Sequence, residues 1–170
     1  MVIHLVRHAE AIERTPEVQE QHRYLTPRGR VRFRKIARTL KISGIDPDLI
    51  LTSPLIRAVQ TAEILAQTLK FKKELQLTDL LAHGFGAPQL RRLLEEHPDA
   101  REIALVGHEP ELGEVTRVLL DTDTPCALDK GATVTFKLTA QGEAAFRQFV
   151  DGKGNLFDSR NKALKHLNQE

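Results

Sequence analysis

Several features that define whole classes of protein are scarce or missing in this chain of 170 residues. Cys126 is the single cysteine, which excludes an internal disulfide framework and is compatible with a reducing compartment. No apolar run approaches the length of a membrane-spanning helix. The first residues, MVIHLVRHAE, lack the basic segment that opens a signal peptide. We therefore expect a cytoplasmic protein.

The chain also has little net charge and no internal repeat. Its formal charge of +2 gives no argument for binding nucleic acid and little for binding a membrane surface. Its 41% hydrophobic and 28% charged residues are ordinary for a globular protein. Because no low-complexity segment marks a boundary and the length suits one core, we expect a single domain over residues 1–170.

Short apolar segments alternate with longer segments in which apolar residues recur at helical spacing. Strands are predicted at 2–6, 49–52, 75–77, 103–106 and 133–138. Helices are predicted from Thr26-Pro27 to Gly44, from Ser53-Pro54 to Leu69, and at 88–97, 110–120 and 161–167. The segment 144–150 fits either a helix or a strand. This alternation predicts an α/β domain with a largely parallel sheet.

Histidine and arginine follow three of the predicted strands. Arg7 and His8 end the first, Ser53 and Arg57 follow the second, and His108 follows the fourth along the chain. In open α/β sheets, ligands bind beyond the carboxyl ends of the strands. We therefore expect these side chains to converge on one site.

This set of residue types suits phosphoryl transfer. Arginine offers a planar fork of donors for phosphate oxygens, and the helix N-terminus near Ser53 adds backbone N–H groups. Histidine attacks phosphorus through a neutral ring nitrogen and forms a covalent intermediate. We expect His8 to be the nucleophile, while Arg7, Arg57 and a protonated His108 stabilise the charge. The cationic side chains then replace a metal, so neither a metal nor another cofactor is expected.

Three stretches of the sequence resemble the signature motifs of a known family. They are LVRHAEA at 5–11, TSPLIRAVQTAEIL at 52–65 and VGHEPELG at 106–113. Together and in this order they resemble the histidine phosphatase superfamily. The compact length and the RHA form resemble its SixA branch of phosphohistidine phosphatases.

The resemblance implies a fold and a set of roles. It implies a three-layer α/β/α sandwich with His8 as the phosphorylated residue. Arg7, Arg57 and His108 match the family's phosphate-binding residues. The family's general acid follows the strand after the second motif, where Asp79 stands in this chain. Glutamate is commoner there, so Glu10, His83 or no acid at all are alternatives.

The main functional hypothesis is a phosphatase that acts on phosphohistidine in proteins. The P–N bond of phosphohistidine is labile enough to need little help from an acid, and the short segments between motifs predict an open site without a helical lid. One alternative is a broad small-molecule phosphomonoesterase. Others are a mutase and a non-catalytic module that binds phosphorylated partners.

Two charged segments stand beside the motifs. Arginine and lysine dominate the predicted helix at 28–38, which is interpreted as a solvated face or as a docking surface for an acidic protein partner. The acidic stretch 13–20 follows the first motif and is expected to border the mouth of the site.

Overall fold

The computed structural model of the protein describes residues 1–168. The strands are β1 (Val2–Arg7), β2 (Leu49–Thr52), β3 (Gln76–Leu77), β4 (Glu102–Gly107), β5 (Thr133–Leu138), β6 (Ala144–Val150) and β7 (Leu156–Phe157). The helices are α1 (Pro27–Ile42), α2 (Ile56–Leu69), α3 (Ala87–Glu96), α4 (Glu111–Leu119) and α5 (Arg160–Leu167). Two 3₁₀ turns, Glu20–His22 and Asp79–Leu81, lie in the connecting loops.

The strands form one sheet in the order β3-β2-β4-β1-β5-β6-β7. The pairs β2–β3, β2–β4 and β1–β4 are parallel, whereas β5, β6 and β7 add to the sheet by antiparallel pairs. Parallel pairing therefore dominates the part of the sheet that carries the three sequence motifs. The expectation of an α/β fold with a mostly parallel central sheet is confirmed.

Apolar side chains cover both faces of the sheet. One cluster joins α1 and α2 to one face, and a second joins α3, α4 and α5 to the other. Neighbouring residues of β1 divide between them, since Leu5 belongs to the second cluster and Val6 to the first. Such division follows from the alternation of side chains along a strand buried on both faces. The expected three-layer arrangement is thus confirmed.

Local sequence explains where α1 begins and ends. The Thr26 hydroxyl accepts a hydrogen bond from the Gly29 N–H at 2.9 Å, and Pro27 occupies the first helical position. The helix ends at Ile42, and Gly44 follows with a φ of 87°, a conformation that favours glycine. The predicted helix therefore has the predicted boundaries.

Two local predictions need correction or completion. The helix expected to start at Ser53-Pro54 begins at Ile56 instead, with Leu55 at the cap position. The Ser53 hydroxyl accepts from the Leu55 N–H at 3.3 Å, one residue before the helix, and also lies 2.8 Å from a histidine ring nitrogen across the sheet edge. The ambiguous segment 144–150 is strand β6, because it pairs with β5 on one side and β7 on the other. No helix within residues 1–168 has the length and apolarity needed to cross a membrane.

Candidate active site

The residues singled out at the strand ends meet at one edge of the sheet. The His8 N–H donates to the Gly107 carbonyl at 3.0 Å, and the Ser53 N–H donates to the Val106 carbonyl at 3.0 Å. These bonds extend the pairing β1–β4–β2 beyond the strands themselves. As a result His8, Ser53 and His108 leave three adjacent strands side by side.

His8 is held in one defined tautomer. Its Nδ1 lies 2.7 Å from the Ala9 carbonyl oxygen, which can only accept a hydrogen bond. Nδ1 therefore carries the ring proton, and Nε2 keeps its lone pair. The Arg57 Nε–H donates to that Nε2 at 3.3 Å. The nitrogen available for attack thus lies beside a guanidinium group.

The surroundings of His8 also keep it uncharged. The residue is 8% exposed. Burial, with added repulsion from His108, Arg57 and Arg7, lowers the pKa of His8 to about 3. At neutral pH the ring is therefore a neutral imidazole, the form that can act as a nucleophile.

His108 packs against His8 and is buried as well. The ring centroids are 5.2 Å apart, and His108 Nε2 lies 2.8 Å from the Ser53 hydroxyl oxygen. Burial, together with Arg57 and His83, lowers the pKa of His108 to about 4. The protonated His108 expected from the sequence is therefore not supported at neutral pH, because desolvation and neighbouring positive charge disfavour the cation.

Arg57 is fixed by a residue from the loop between β1 and α1. Its Nη1 donates to the Glu20 carbonyl oxygen at 2.8 Å, and its Nη2 contacts the Glu20 carboxylate at 3.0 Å. Only 3% of the Arg57 side chain is exposed. Glu20 thereby orients the guanidinium so that its Nε edge faces His8.

Glu20 lies at the centre of a small arginine cluster. Arg14 and Arg23 also contact its carboxylate, at 3.0 and 2.9 Å. Burial alone would raise the pKa of Glu20, but the hydrogen bond from Arg23 and the charges of the three arginines lower it overall. The sequence placed this acidic stretch near the mouth of the site but did not indicate its contact with Arg57, which lies 37 residues away.

Arg7 is anchored by the loop that precedes β5. Its Nη1 donates to the Leu128 carbonyl at 2.6 Å. Within residues 1–168, its buried Nε has no hydrogen-bond partner. The carboxyl of Glu109 lies close enough to interact with Arg7, but burial outweighs that attraction and raises the pKa of Glu109 to about 7. The sequence did not single out Glu109.

Thr61 is another contact that sequence reasoning missed. Its hydroxyl accepts a hydrogen bond from the Ala9 N–H at 3.0 Å and donates to the Arg57 carbonyl at 2.7 Å. It thus ties the loop after β1 to the first turn of α2. Thr61 lies four residues after Arg57, one turn along the same helix, and this spacing could have indicated the contact from the sequence.

The three candidates for a general acid differ in their surroundings. Asp79 is exposed at the start of its 3₁₀ turn, which follows β3 at the same edge of the sheet. Glu10 binds Arg28 at 2.8 Å, and that hydrogen bond lowers the pKa of Glu10. The His83 ring is tilted by 33° against the His108 ring, with the centroids 5.6 Å apart, and lies 3.5 Å from Glu111. His83 therefore lies beside the buried cluster.

The surface near the cluster has no inserted helical lid. The loop from His8 to Thr26 contains a single three-residue 3₁₀ turn. Four concave regions of about 270 to 400 Å³ lie elsewhere, since Arg7, His8, Arg57 and His108 line none of them. Within residues 1–168 there is also no cluster of three or more histidine, cysteine or acidic side chains that could hold a metal ion.

Residues 3–102 match the family model of the histidine phosphatase superfamily (branch 1). The matched range includes Arg7, His8 and Arg57, whereas His108 lies beyond its end. An uncharacterized protein of Picosynechococcus sp. strain PCC 7002 is 38% identical over 116 residues, which are 67% of this chain and 70% of that protein.

Solved structures share the fold at low identity. The protein histidine phosphatase SixA complexed with tungstate superposes with a TM-score of 0.80 at 21% identity, over 89% of this chain and 97% of that chain. A phosphoserine phosphatase of Entamoeba histolytica gives 0.65 at 18% identity, over 90% and 98%. At such identities these likenesses establish the fold alone.

Proposed function

The chain belongs to the histidine phosphatase superfamily and is a phosphatase, and on that premise we propose that it carries the phosphoryl group on His8 and takes it from phosphohistidine in a protein. The observation that carries the proposal is the geometry of His8. Its Nδ1 proton is held by the Ala9 carbonyl, which leaves a neutral Nε2 beside Arg57.

The reaction proceeds in two displacements. In the first, His8 Nε2 attacks phosphorus, a P–Nε2 bond forms and the bond to the leaving group breaks. In the second, water attacks the same phosphorus, the P–Nε2 bond breaks and inorganic phosphate leaves. The Ala9 carbonyl keeps the Nδ1 proton in place and stabilises the positive charge that develops on the ring.

Charge on the transferring group is stabilised by the surrounding donors. Arg57 donates to His8 and the charge of Arg7 also acts on it, and the Arg7 Nε, which has no hydrogen-bond partner within residues 1–168, is a donor that a phosphate oxygen would satisfy. His108 is neutral at first, but a bound phosphate would favour its protonated form because the anion opposes the effect of Arg57. The helix N-terminus at Ile56 adds backbone N–H groups.

The leaving group decides how much an acid is needed. An alkoxide must receive a proton as it departs, whereas the imidazole of phosphohistidine is a better leaving group. Asp79 remains our proposed acid for phosphate esters, although its exposed position suits a weak contribution. His83 is the alternative, because its ring lies beside that of His108. A modest acid fits a phosphohistidine substrate.

The lack of an inserted helical lid supports a protein substrate. A phosphohistidine side chain reaches out from a protein surface, so it needs an approach that a lid would block, whereas small phosphates are held best in enclosed pockets. Within residues 1–168, the loop over Arg57 holds one three-residue 3₁₀ turn and no α-helix. A broad small-molecule phosphatase is the second candidate, since the same chemistry accepts any accessible phosphate ester.

A substrate comparison tests the proposal. Hydrolysis of a phosphorylated histidine-containing phosphotransfer domain would be measured beside that of p-nitrophenyl phosphate. We expect a higher kcat/KM for the protein. A higher value for the small ester would favour the broad phosphatase, and tight binding without turnover of either would leave only a binding module.

A further inference from the structure

The outer face of α1 has an unusual charge distribution. The helix carries seven basic residues and no acidic one: Arg28, Arg30, Arg32, Arg34, Lys35, Arg38 and Lys41. The rest of the chain has 18 basic and 23 acidic residues, a formal charge of −5. The small net charge of the protein therefore conceals a strong separation of charge.

This arrangement does not serve the stability of the helix. Arg28 and Arg32, like Arg34 and Arg38, are four residues apart on the same face, and like charges at that spacing destabilise a helix. Arg28 also stands in the first turn, where the helix dipole favours acidic residues. A feature that opposes local stability calls for another explanation.

Part of the basic face lines a groove. Arg28, Val31, Arg32 and Lys35 from α1 and Lys153 from the turn after β6 surround a concave region of about 350 Å³. Val31, which is 67% exposed, is the apolar residue of this lining. Within residues 1–168, no ion pair involves Arg32, Lys35 or Lys153, so three cations from two separate segments face solvent together.

The groove is linked to the active site through Glu10. Arg28 lines the groove and binds the carboxylate of Glu10, two residues after His8. The backbones are in contact at the same place, because the Thr26 N–H donates to the Glu10 carbonyl at 3.0 Å. A protein whose phosphorylated side chain reaches His8 would therefore place neighbouring residues near Arg28 and this groove.

A second connection runs through the loop before β5. The Gly131 N–H donates to the His8 carbonyl at 3.1 Å, and Lys130 beside it is exposed and lowers the pKa of Glu10 by its charge. Gly152 packs against Asp129 and Lys130, since a Cβ there would lie 2.7 Å from the Asp129 Cβ and 3.2 Å from the Lys130 carbonyl oxygen. Lys153 follows directly, so the segment that contacts His8 also contacts the turn that carries one cation of the groove.

We propose that this groove docks an acidic segment of the phosphorylated protein substrate and so selects proteins over small phosphates. The inference rests on the proposed function. A protein fits better than a nucleic acid or a lipid surface, because the cations surround a concavity of side-chain size that also presents the apolar Val31, and the rest of the chain is acidic. Opposite charges accelerate encounter, and salt screens that effect.

The test reverses two charges in the groove. The variant Arg32→Glu/Lys35→Glu changes two exposed residues outside the catalytic cluster, and Arg91→Glu/Lys162→Glu is the matched control. The control carries the same charge change on α3 and α5, across the sheet from α1. The substrates are an acidic phosphotransfer domain phosphorylated on histidine and p-nitrophenyl phosphate, at low and high salt.

We expect the groove variant to lose about tenfold in kcat/KM for the phosphorylated domain at low salt, with a smaller loss at high salt. Turnover of p-nitrophenyl phosphate should stay unchanged, and the control should behave like the parent. Equal losses of kcat/KM in the groove variant and the control would overturn the docking proposal. The proposal would also be overturned if the groove variant lost only its binding of RNA or of vesicles containing anionic lipid and hydrolysed the phosphorylated domain as fast as the unmodified protein.

The activity of the parent, the protein without substitutions, separates the proposed function from the docking proposal. If the parent hydrolyses neither substrate, the proposed function fails. If it hydrolyses the phosphorylated domain and reversal of the groove charges leaves that rate unchanged, the proposed function stands and the docking proposal fails. If it hydrolyses only p-nitrophenyl phosphate, docking of a protein substrate is overturned.

Discussion

The cluster around His8 and the outer face of α1 both depend on positively charged side chains, but they hold them in opposite ways. In the cluster, Arg57 is buried and its donors contact His8 and Glu20, while both histidines are kept neutral. On α1, Arg32 and Lys35 are exposed. Arginine thus supplies directed hydrogen bonds in the cluster around His8 and a long-range electrostatic field on the outer face of α1.

The largest expected effect is at the nucleophile. The variant His8→Ala removes the nitrogen that accepts the phosphoryl group, so kcat should fall at least about 10³-fold for every substrate. Steady-state kinetics on the phosphorylated domain and on p-nitrophenyl phosphate measure it, with circular dichroism to confirm folding. If more than a few per cent of activity remained, His8 would not be the nucleophile.

Arg57→Lys comes next. Lysine keeps the charge but loses the planar fork that reaches His8 and Glu20 at once. We expect kcat to fall by about 10²-fold, since one donor to the developing charge is lost. Arg91→Lys, at an exposed position, is the control. An unchanged kcat would mean that a positive charge at position 57 is enough for catalysis. Directed hydrogen bonds would then not distinguish the cluster around His8 from the outer face of α1.

The pH dependence of stability tests the burial of the two histidines. Their pKa values of about 3 and 4 lie below the value near 6.5 of an unfolded chain, so the unfolded state binds more protons as the pH falls from about 6.5 toward 4. The free energy of unfolding should therefore decrease in that range, by up to about 1.4 kcal/mol per pH unit for each histidine. Urea denaturation at each pH measures it.

The variant His108→Gln is the comparison for that experiment, since it removes one of the two titrating rings. Its stability should depend less steeply on pH between about 6.5 and 4. The same slope in the variant and the parent would show that His108 does not titrate in this way.

Glu20→Ala should have a moderate effect on catalysis. It removes the carboxylate that orients Arg57, so kcat for p-nitrophenyl phosphate should fall by about tenfold. Glu20→Gln, which can still accept from Arg57, should recover most of that loss. Glu17→Ala changes an exposed acid of the same loop and should leave kcat unchanged. If Glu20→Ala and Glu17→Ala behave alike, Glu20 does not position Arg57.

The smallest effect is expected at Asp79. Asp79→Asn should slow hydrolysis of alkyl phosphates by a few-fold and leave phosphohistidine hydrolysis nearly unchanged, because only the alkoxide strongly needs a proton. The ratio of the two rates is the measurement, with His83→Ala assayed in parallel. Equal slowing of both substrates by Asp79→Asn would count against Asp79 as the acid.

Much of the fold could be predicted from the sequence, because strands buried on both faces and capped helices leave local signals. Thr26 and Gly44 mark α1, and the apolar run of β1 needs no partner to be recognised. Segment 144–150 gave no such signal, since its periodicity fits two structures. Pairing with β5 and β7 decides it.

At the site the sequence by itself determined which residue types stand at the carboxyl ends of the strands, namely Arg7, His8 and His108, because strand position follows from local pattern. Only the tertiary structure decided their chemical state. The contact of Glu20 with Arg57 spans 37 residues, and that of Ser53 with His108 spans 55. Burial and such distant partners set the charge and the orientation of these groups, and no local pattern in a chain records them.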